Sequence, residues 1–202
     1  MRINGVIELP GDKSISHRSL LLASLTNGKC IIHNLSTGKD VESTRNCLLS
    51  CSIESKKANS KVEISGGKLA NPVLPLDCGN SGTTVRLLTG LLAGQNINAK
   101  FIGDNSLSKR PMGRIIQPLK KMGLKIESQN VKLPLSIKDS NLNGIFYEMP
   151  VASAQVKSCI LLAGLGAEGK TSVKESIPTR DHTEIMLKEL GVKIVQNGII
   201  EL

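Results

Sequence analysis

Aromatic residues are almost missing from this chain, which has two Phe, one Tyr and no Trp among 202 residues. That excludes the stacked aromatic platforms with which single-stranded nucleic-acid binders hold bases, and it leaves the core to Leu, Ile, Val, Ala and Met. No uninterrupted run of about 18 apolar residues is present, and Met1-Arg2-Ile3-Asn4-Gly5 lacks the apolar stretch of a secretory signal. A soluble, cytoplasmic protein that engages neither membrane nor nucleic acid is expected. The five cysteines, at 30, 47, 51, 78 and 159, are odd in number and form no Cys-x-x-Cys pair, so neither a disulfide framework nor a metal site is indicated. Cys47 and Cys51 would share a helix face, but His33 and His182 lie far from them in sequence. Reduced, partly buried thiols are expected.

What the chain does have is positive charge, 26 Lys and Arg against 17 Asp and Glu, a net +9. A basic surface concentrates anionic ligands; it also serves simply to keep a protein soluble, and charge alone does not separate the two.

The hydrophobic pattern repeats with a period of about 70 residues. Ser16 to Leu25, Thr83 to Ala93 and Ala154 to Leu165 read as helices that are nearly all apolar. Asp40 to Leu49, Pro111 to Met122 and Asp181 to Leu190 read as amphipathic helices with charged faces. Gly28, Gly94 and Gly169 follow the first set, and Gly123 and Gly191 follow two of the second, as helix stops. Pro118 conflicts with its helix, for which a kink or a short first turn is expected. Strands are expected at 30–33, 61–64, 97–102, 124–127, 171–173 and 192–195, with strand-like runs at Val6 to Leu9 and Ile199 to Leu202.

Helices that are apolar all round must be buried on all sides, whereas amphipathic ones can lie with one face on the core. An α/β, pseudo-threefold domain is therefore expected, its unit of helix, strand, helix and further strands written three times, with three buried helices surrounded by mixed sheets. Its crossover connections require some parallel strand pairs. The boundaries fall at about 12–78, 79–150 and 151–202 within a domain covering 12–202. Residues 1–11 read as a strand that belongs to, or bridges toward, a second domain.

Chemistry gathers where the apolar helices begin. Gly11-Asp12-Lys13-Ser14-Ile15-Ser16-His17-Arg18 is a polar turn running into the first, Cys78-Gly79-Asn80-Ser81-Gly82-Thr83-Thr84-Val85-Arg86 opens the second, and Ser153-Ala154-Gln155, with Lys157 and Ser158, opens the third. Free N–H groups and a positive dipole end make a helix N-terminus an anion cradle. Each segment also suits an ordinary N-cap, with Ser14 or Ser16 capping the first helix and Asn80 or Ser81 the second. The first is not a nucleotide P-loop, because the order of glycines and lysine is wrong. Lys109-Arg110-Pro111 and Thr179-Arg180-Asp181-His182 add cations ahead of the amphipathic helices, suited to carboxylates or phosphates, or to plain solvation. His17 reads as structural.

Taken together, Gly-Asp-Lys-Ser-Ile-Ser-His-Arg at 11–18, Gly-Asn-Ser-Gly-Thr-Thr-Val-Arg-Leu-Leu at 79–88, Arg-Pro-Met at 110–112, Ser-Ala-Gln-Val-Lys-Ser at 153–158 and Arg-Asp-His-Thr-Glu at 180–184 resemble the EPSP synthase family, in order and across essentially the whole chain. They are closest to its branch with Gly-Asp-Lys and Arg-x-His-x-Glu patterns. The resemblance implies domains of three βαβαββ units and transfer of the enolpyruvyl group of phosphoenolpyruvate to the 5-hydroxyl of shikimate 3-phosphate, on the route to chorismate and aromatic amino acids. It implies no cofactor. By the same resemblance Lys13 is the catalytic candidate and touches both substrates. Ser14, Arg18, Ser153, Gln155 and Arg180 hold shikimate 3-phosphate, and Gly82, Arg110 and Gln155 hold phosphoenolpyruvate.

Ala154 and Leu87 stand where another branch has serine and proline. The family is about twice this length, and its acid–base carboxylates belong to a second domain, so this chain is expected to be a binding half, inactive alone. The other readings are half of a UDP-sugar enolpyruvyl transferase and a non-catalytic anion-binding module.

Overall fold

The computed structural model describes residues 4–5, 9–58 and 61–202. Six helices alternate with eleven strands among them. The order is α1 (Lys13–Ser24), β1 (Gly28–His33), α2 (Lys39–Ser50), β2 (Glu54–Ala58), β3 (Lys61–Gly66), β4 (Leu76–Asp77), α3 (Gly82–Gly94), β5 (Ala99–Ile102), α4 (Gly113–Lys121), β6 (Lys125–Gln129), β7 (Lys132–Lys138), β8 (Phe146–Glu148), α5 (Ala154–Gly164), β9 (Ser172–Lys174), α6 (His182–Glu189), β10 (Val195–Gln196) and β11 (Ile200–Glu201).

The strands form three sheets in the orders β1-β3-β2, β4-β5-β7-β6 and β8-β9-β11-β10. In the second and third, the strand before the core helix pairs parallel to the strand after it, and the remaining neighbours are antiparallel. These mixed sheets realise the expected crossovers. Of the expected strand at Val6 to Leu9, Val6 to Glu8 lie outside the described residues.

The apolar helices are buried along most of their length, α3 and α5 most completely. The two pack backbone to backbone through Gly90 and Gly94. A Cβ on Gly90 would lie 2.9 Å from the carbonyl carbon of Cys159, and one on Gly94 would lie 2.8 Å from the carbonyl oxygen of Ala163. Gly94 is thus a packing residue within α3 rather than its stop, and Asn96, at φ 55°, takes the left-handed turn after the helix. Gly123 and Gly191 do stop α4 and α6 with positive φ, and Ser52 fills that role after α2.

The amphipathic helices depart from expectation in two ways. α4 begins at Gly113, not Pro111, so Pro118 forgoes only the bond to the first-turn carbonyl of Arg114. α6 buries Thr183 and Glu184 beside Leu187, so its inner face is partly polar. Of the expected strand at 192–195 only Val195 pairs, and β2, β4, β7 and β8 are strands not expected from sequence. No helix among the described residues is long and apolar enough to cross a membrane.

Candidate anion-binding site

The three core helices start at the same end of the domain, and each is capped by the residue just ahead of it. Asp12 accepts from the Ile15 N–H at 2.8 Å, Ser81 from Thr84 at 3.1 Å and Ser153 from Val156 at 3.4 Å. Asp12, rather than Ser14 or Ser16, is therefore the first cap. Its carboxyl is held below the ordinary range chiefly by the Ile15 N–H. With caps satisfied, Ser14 and the other side chains of these first turns are left for other partners.

Those side chains tie the repeats together. Arg18 of α1 donates to Ser158 of α5 at 2.7 Å, to Thr183 of α6 at 2.6 Å and to the Ser14 carbonyl at 2.9 Å. Gln155 of α5 donates to Thr83 of α3 at 2.9 Å and accepts from Arg86 of α3 at 3.0 Å. Between α1 and α3 the link runs through α2, where the Thr44 hydroxyl lies 2.7 Å from both His17 Nδ1 and the Thr84 hydroxyl.

His17 is fully buried, and burial pushes its pKa from the ordinary 6.5 down to about 4, with Asp40 opposing. Below pH 6.5 the unfolded chain takes up a proton that the folded chain refuses, so His17 costs stability as pH falls from 6.5 toward 4, by about 3 kcal/mol in all. His17→Asn, which keeps a polar partner for Thr44, is expected to flatten that slope. Urea midpoints of parent and variant at pH 7 and pH 4.5 measure the difference.

Above this ring lie the cations. Lys13 is more than half exposed and pairs with Asp40 at 3.1 Å. Arg180 donates to the Ser14 hydroxyl at 3.1 Å. Arg110, on the stretch that follows the short 3-10 turn Leu107–Lys109, donates to Asn80, which in turn donates to Asp104 at 2.7 Å. Arg86 donates to Gln155, to the Gly82 carbonyl at 3.2 Å and to the Pro111 carbonyl at 3.4 Å.

Gly82 sits between two of these guanidinium groups. A Cβ there would lie 2.6 Å from Arg86 Nη1 and 3.3 Å from Arg110 Nη1. Burial, then the neighbouring Arg110, lowers the Arg86 pKa, so two like charges face each other across a glycine with no side chain to fill the gap. Among the described residues, no carboxylate pairs with Arg86, Arg110 or Arg180. Three guanidinium groups held by neutral partners, beside helix N-termini, have the chemistry that suits a carboxylate or phosphate.

Lys13, Ser14, Gly82, Arg110, Gln155 and Arg180 are all drawn into this contiguous face, with Ser153 at the α5 cap. Arg18 is only 4% exposed and forms part of the floor. Lys157, although one turn into α5, is 1% exposed and ion-paired inside. Arg86 was part of the motif but not of the expected ligand set; its place four residues after Gly82, one helical turn on, was the available signal. Asp40 and Asn80 also order cations without having been expected to. A hollow of about 540 Å³ lies at the far end of α3 against Gln95, Asn96 and Ile97, with none of Lys13, Arg86, Arg110 or Arg180 in its lining.

Comparison with known proteins places this geometry. The family model of EPSP synthase (3-phosphoshikimate 1-carboxyvinyltransferase) matches residues 1–200. A 3-phosphoshikimate 1-carboxyvinyltransferase of Ruthia magnifica is 53% identical over 199 residues, covering 96% of this chain and 46% of that protein. One from Thermoanaerobacter sp. (strain X514) is 48% identical, covering 97% and 47%. The solved EPSP synthase of Acinetobacter baumannii superposes with a TM-score of 0.93 at 43% identity, covering 98% of this chain and 47% of that one. The chain spans about half the length of the curated relatives it matches.

Proposed function

We propose, for a chain that belongs to the EPSP synthase family, that it forms the substrate-binding half of a cytoplasmic 3-phosphoshikimate 1-carboxyvinyltransferase. Residues 12–202 are the binding domain, and residues 1–11 lead toward a second domain that completes the site. The observation that carries this reading is the face of Arg86, Arg110 and Arg180, charged, unpaired with carboxylates among the described residues and gathered at helix N-termini. Both substrates of the family reaction are polyanions, and such a face suits them.

In that reaction the shikimate 5-hydroxyl oxygen bonds to C2 of phosphoenolpyruvate while the methylene carbon takes a proton. The tetrahedral intermediate then loses phosphate from C2 and a proton from its methyl group, which restores the carbon–carbon double bond. Lys13, Ser14, Ser153, Gln155 and Arg180 hold shikimate 3-phosphate, with Arg18 contributing from the floor. Gly82, Arg110, Gln155 and Lys13 hold phosphoenolpyruvate, and Arg86 joins them through its shared partner Gln155. The exposure of Lys13 at the first turn of α1 supports its serving both.

Two proton transfers need groups of matched pKa at both atoms. On this face the described carboxylates Asp12, Asp40 and Asp104 are each engaged, by a helix cap, by Lys13 and by Asn80 respectively. The acid–base work therefore falls to the second domain, and turnover by this chain alone is expected to be absent.

Calorimetric titration with shikimate 3-phosphate tests the binding half of the proposal. Saturable binding is expected, weakened about tenfold or more by Arg180→Ala and by Lys13→Ala, in line with the loss of a charged hydrogen bond. Arg18→Ala is a poorer probe, because it unties the first repeat from both helices of the third. A folded chain that binds shikimate 3-phosphate no better than inorganic phosphate would overturn the reading.

A further inference from the structure

We infer that Lys157 is a positioning residue, a buried ammonium that fixes the segment 175–181 and thereby sets Arg180 over Ser14. The inference rests on the proposed anion face, of which Ser14 and Arg180 are members. Lys157 Nζ lies 2.8 Å from Glu175 Oε2 and 2.6 Å from Glu184 Oε1, and donates to the Thr179 carbonyl at 3.4 Å. The Thr179 hydroxyl donates in turn to Glu175. One side chain of α5 thus grips both ends of the turn that follows β9, together with α6.

Little else holds that turn. Ser176, Ile177 and Pro178 are exposed, Ile177 at 67%. Arg180 follows directly and reaches Ser14 across the repeat boundary.

The position of the charge points the same way. Counted from the helix caps, the equivalents of Lys157 are Ser16 in α1 and Val85 in α3, both uncharged. A buried ion cluster is no better for stability than a packed apolar side chain, because desolvation offsets the attraction. The loops ahead of α4 and α6 each bring an arginine to the shared face, but the first is tied by its own 3-10 turn, by Asp104 accepting from the Leu107 N–H and by the Met112 N–H donating to the Val131 carbonyl, whereas the second has the ammonium.

The charges also balance. Lys157 and Arg18 stand against Glu175 and Glu184, and Glu184 acts on Arg18 as well as on Lys157. The cluster is neutral as a unit, and no carboxylate in it pairs with Arg180.

The test removes a neutral pair, Lys157→Met with Glu175→Gln, leaving Glu184 to Arg18. Thermal stability is expected to change little. Amide hydrogen exchange across 175–181 is expected to rise about tenfold or more, with the α3 and α5 amides unchanged. Affinity for shikimate 3-phosphate is expected to fall about as far as in Arg180→Ala, and adding Arg180→Ala to the pair should cost nothing further. Thr179→Val removes one tie without touching a charge, so it gives a smaller rise in exchange if the double variant does not fold.

Unchanged exchange at 175–181 in the folded double variant, or in Thr179→Val should the pair not fold, would overturn the inference. So would an affinity loss that adds in full to that of Arg180→Ala. If the parent binds no shikimate 3-phosphate, the functional reading has failed, and the exchange result alone decides whether Lys157 fixes the segment.

Discussion

Gly90→Ala is expected to destabilise the chain by about 3 kcal/mol or more, a large loss for one added methyl group. The new carbon would press on the carbonyl of Cys159, 2.9 Å from its carbon and 3.0 Å from its Cα. These atoms are backbone of a helix buried from Val156 to Gly164, so no rotamer can yield. Relief requires moving α3 and α5 apart, and the Arg86–Gln155 and Gln155–Thr83 bonds oppose that at one end. Denaturant midpoints measure the effect. Gly113→Ala is the control: its Cβ would meet only a methyl of Val131, and its effect is expected to stay within about 1 kcal/mol. A Gly90→Ala protein as stable as its parent would mean that the two helices pack with more room than the structure gives them.

Gly82→Ala is expected to act in the opposite sense, sparing the fold and damaging the site. Its Cβ would meet the guanidinium ends of Arg86 and Arg110, flexible tips that can swing aside, and alanine favours the first helical turn over glycine. Melting temperature should therefore hold or rise slightly. Swinging aside, however, takes Arg86 off Gln155 and the Gly82 carbonyl. A charged hydrogen bond contributes about 1.5–3 kcal/mol, so affinity for phosphoenolpyruvate should fall ten- to hundredfold, read by titration. Unaltered affinity would remove Arg86 and Arg110 from the site.

The two variants mark out what could be read from the sequence. The six helices were legible because each apolar or amphipathic run is long and all but that of α2 are followed within a few residues by a glycine. Strands were less so. β2 is Glu-Ser-Lys-Lys-Ala, a charged strand at the sheet margin whose pairing to β3 owes nothing to apolar alternation. β7 alternates well, but Pro134 argues against a strand with neighbours on both sides. The structure places Pro134 just past the last residue paired with β5, opposite the register shift in β6, where no amide is required.

The site was legible as separate motifs and not as an arrangement. Lys13, Arg18, Lys157 and Arg180 look alike in sequence, yet two face solvent and two lie inside. That difference depends on which way each helix turns toward the other repeats, and no local pattern records it. Arg86 and Gln155, far apart in the chain, became partners only when α3 and α5 packed through Gly90 and Gly94.

The side chains that join the three repeats are also those that surround the anion face. Folding and preorganisation are therefore one event here: the conformational entropy of aligning these donors is lost when the helices dock, not when a ligand arrives. On the proposed function, an incoming anion would meet donors already aimed, and what it would have left to surrender is its own tumbling and its hydration shell.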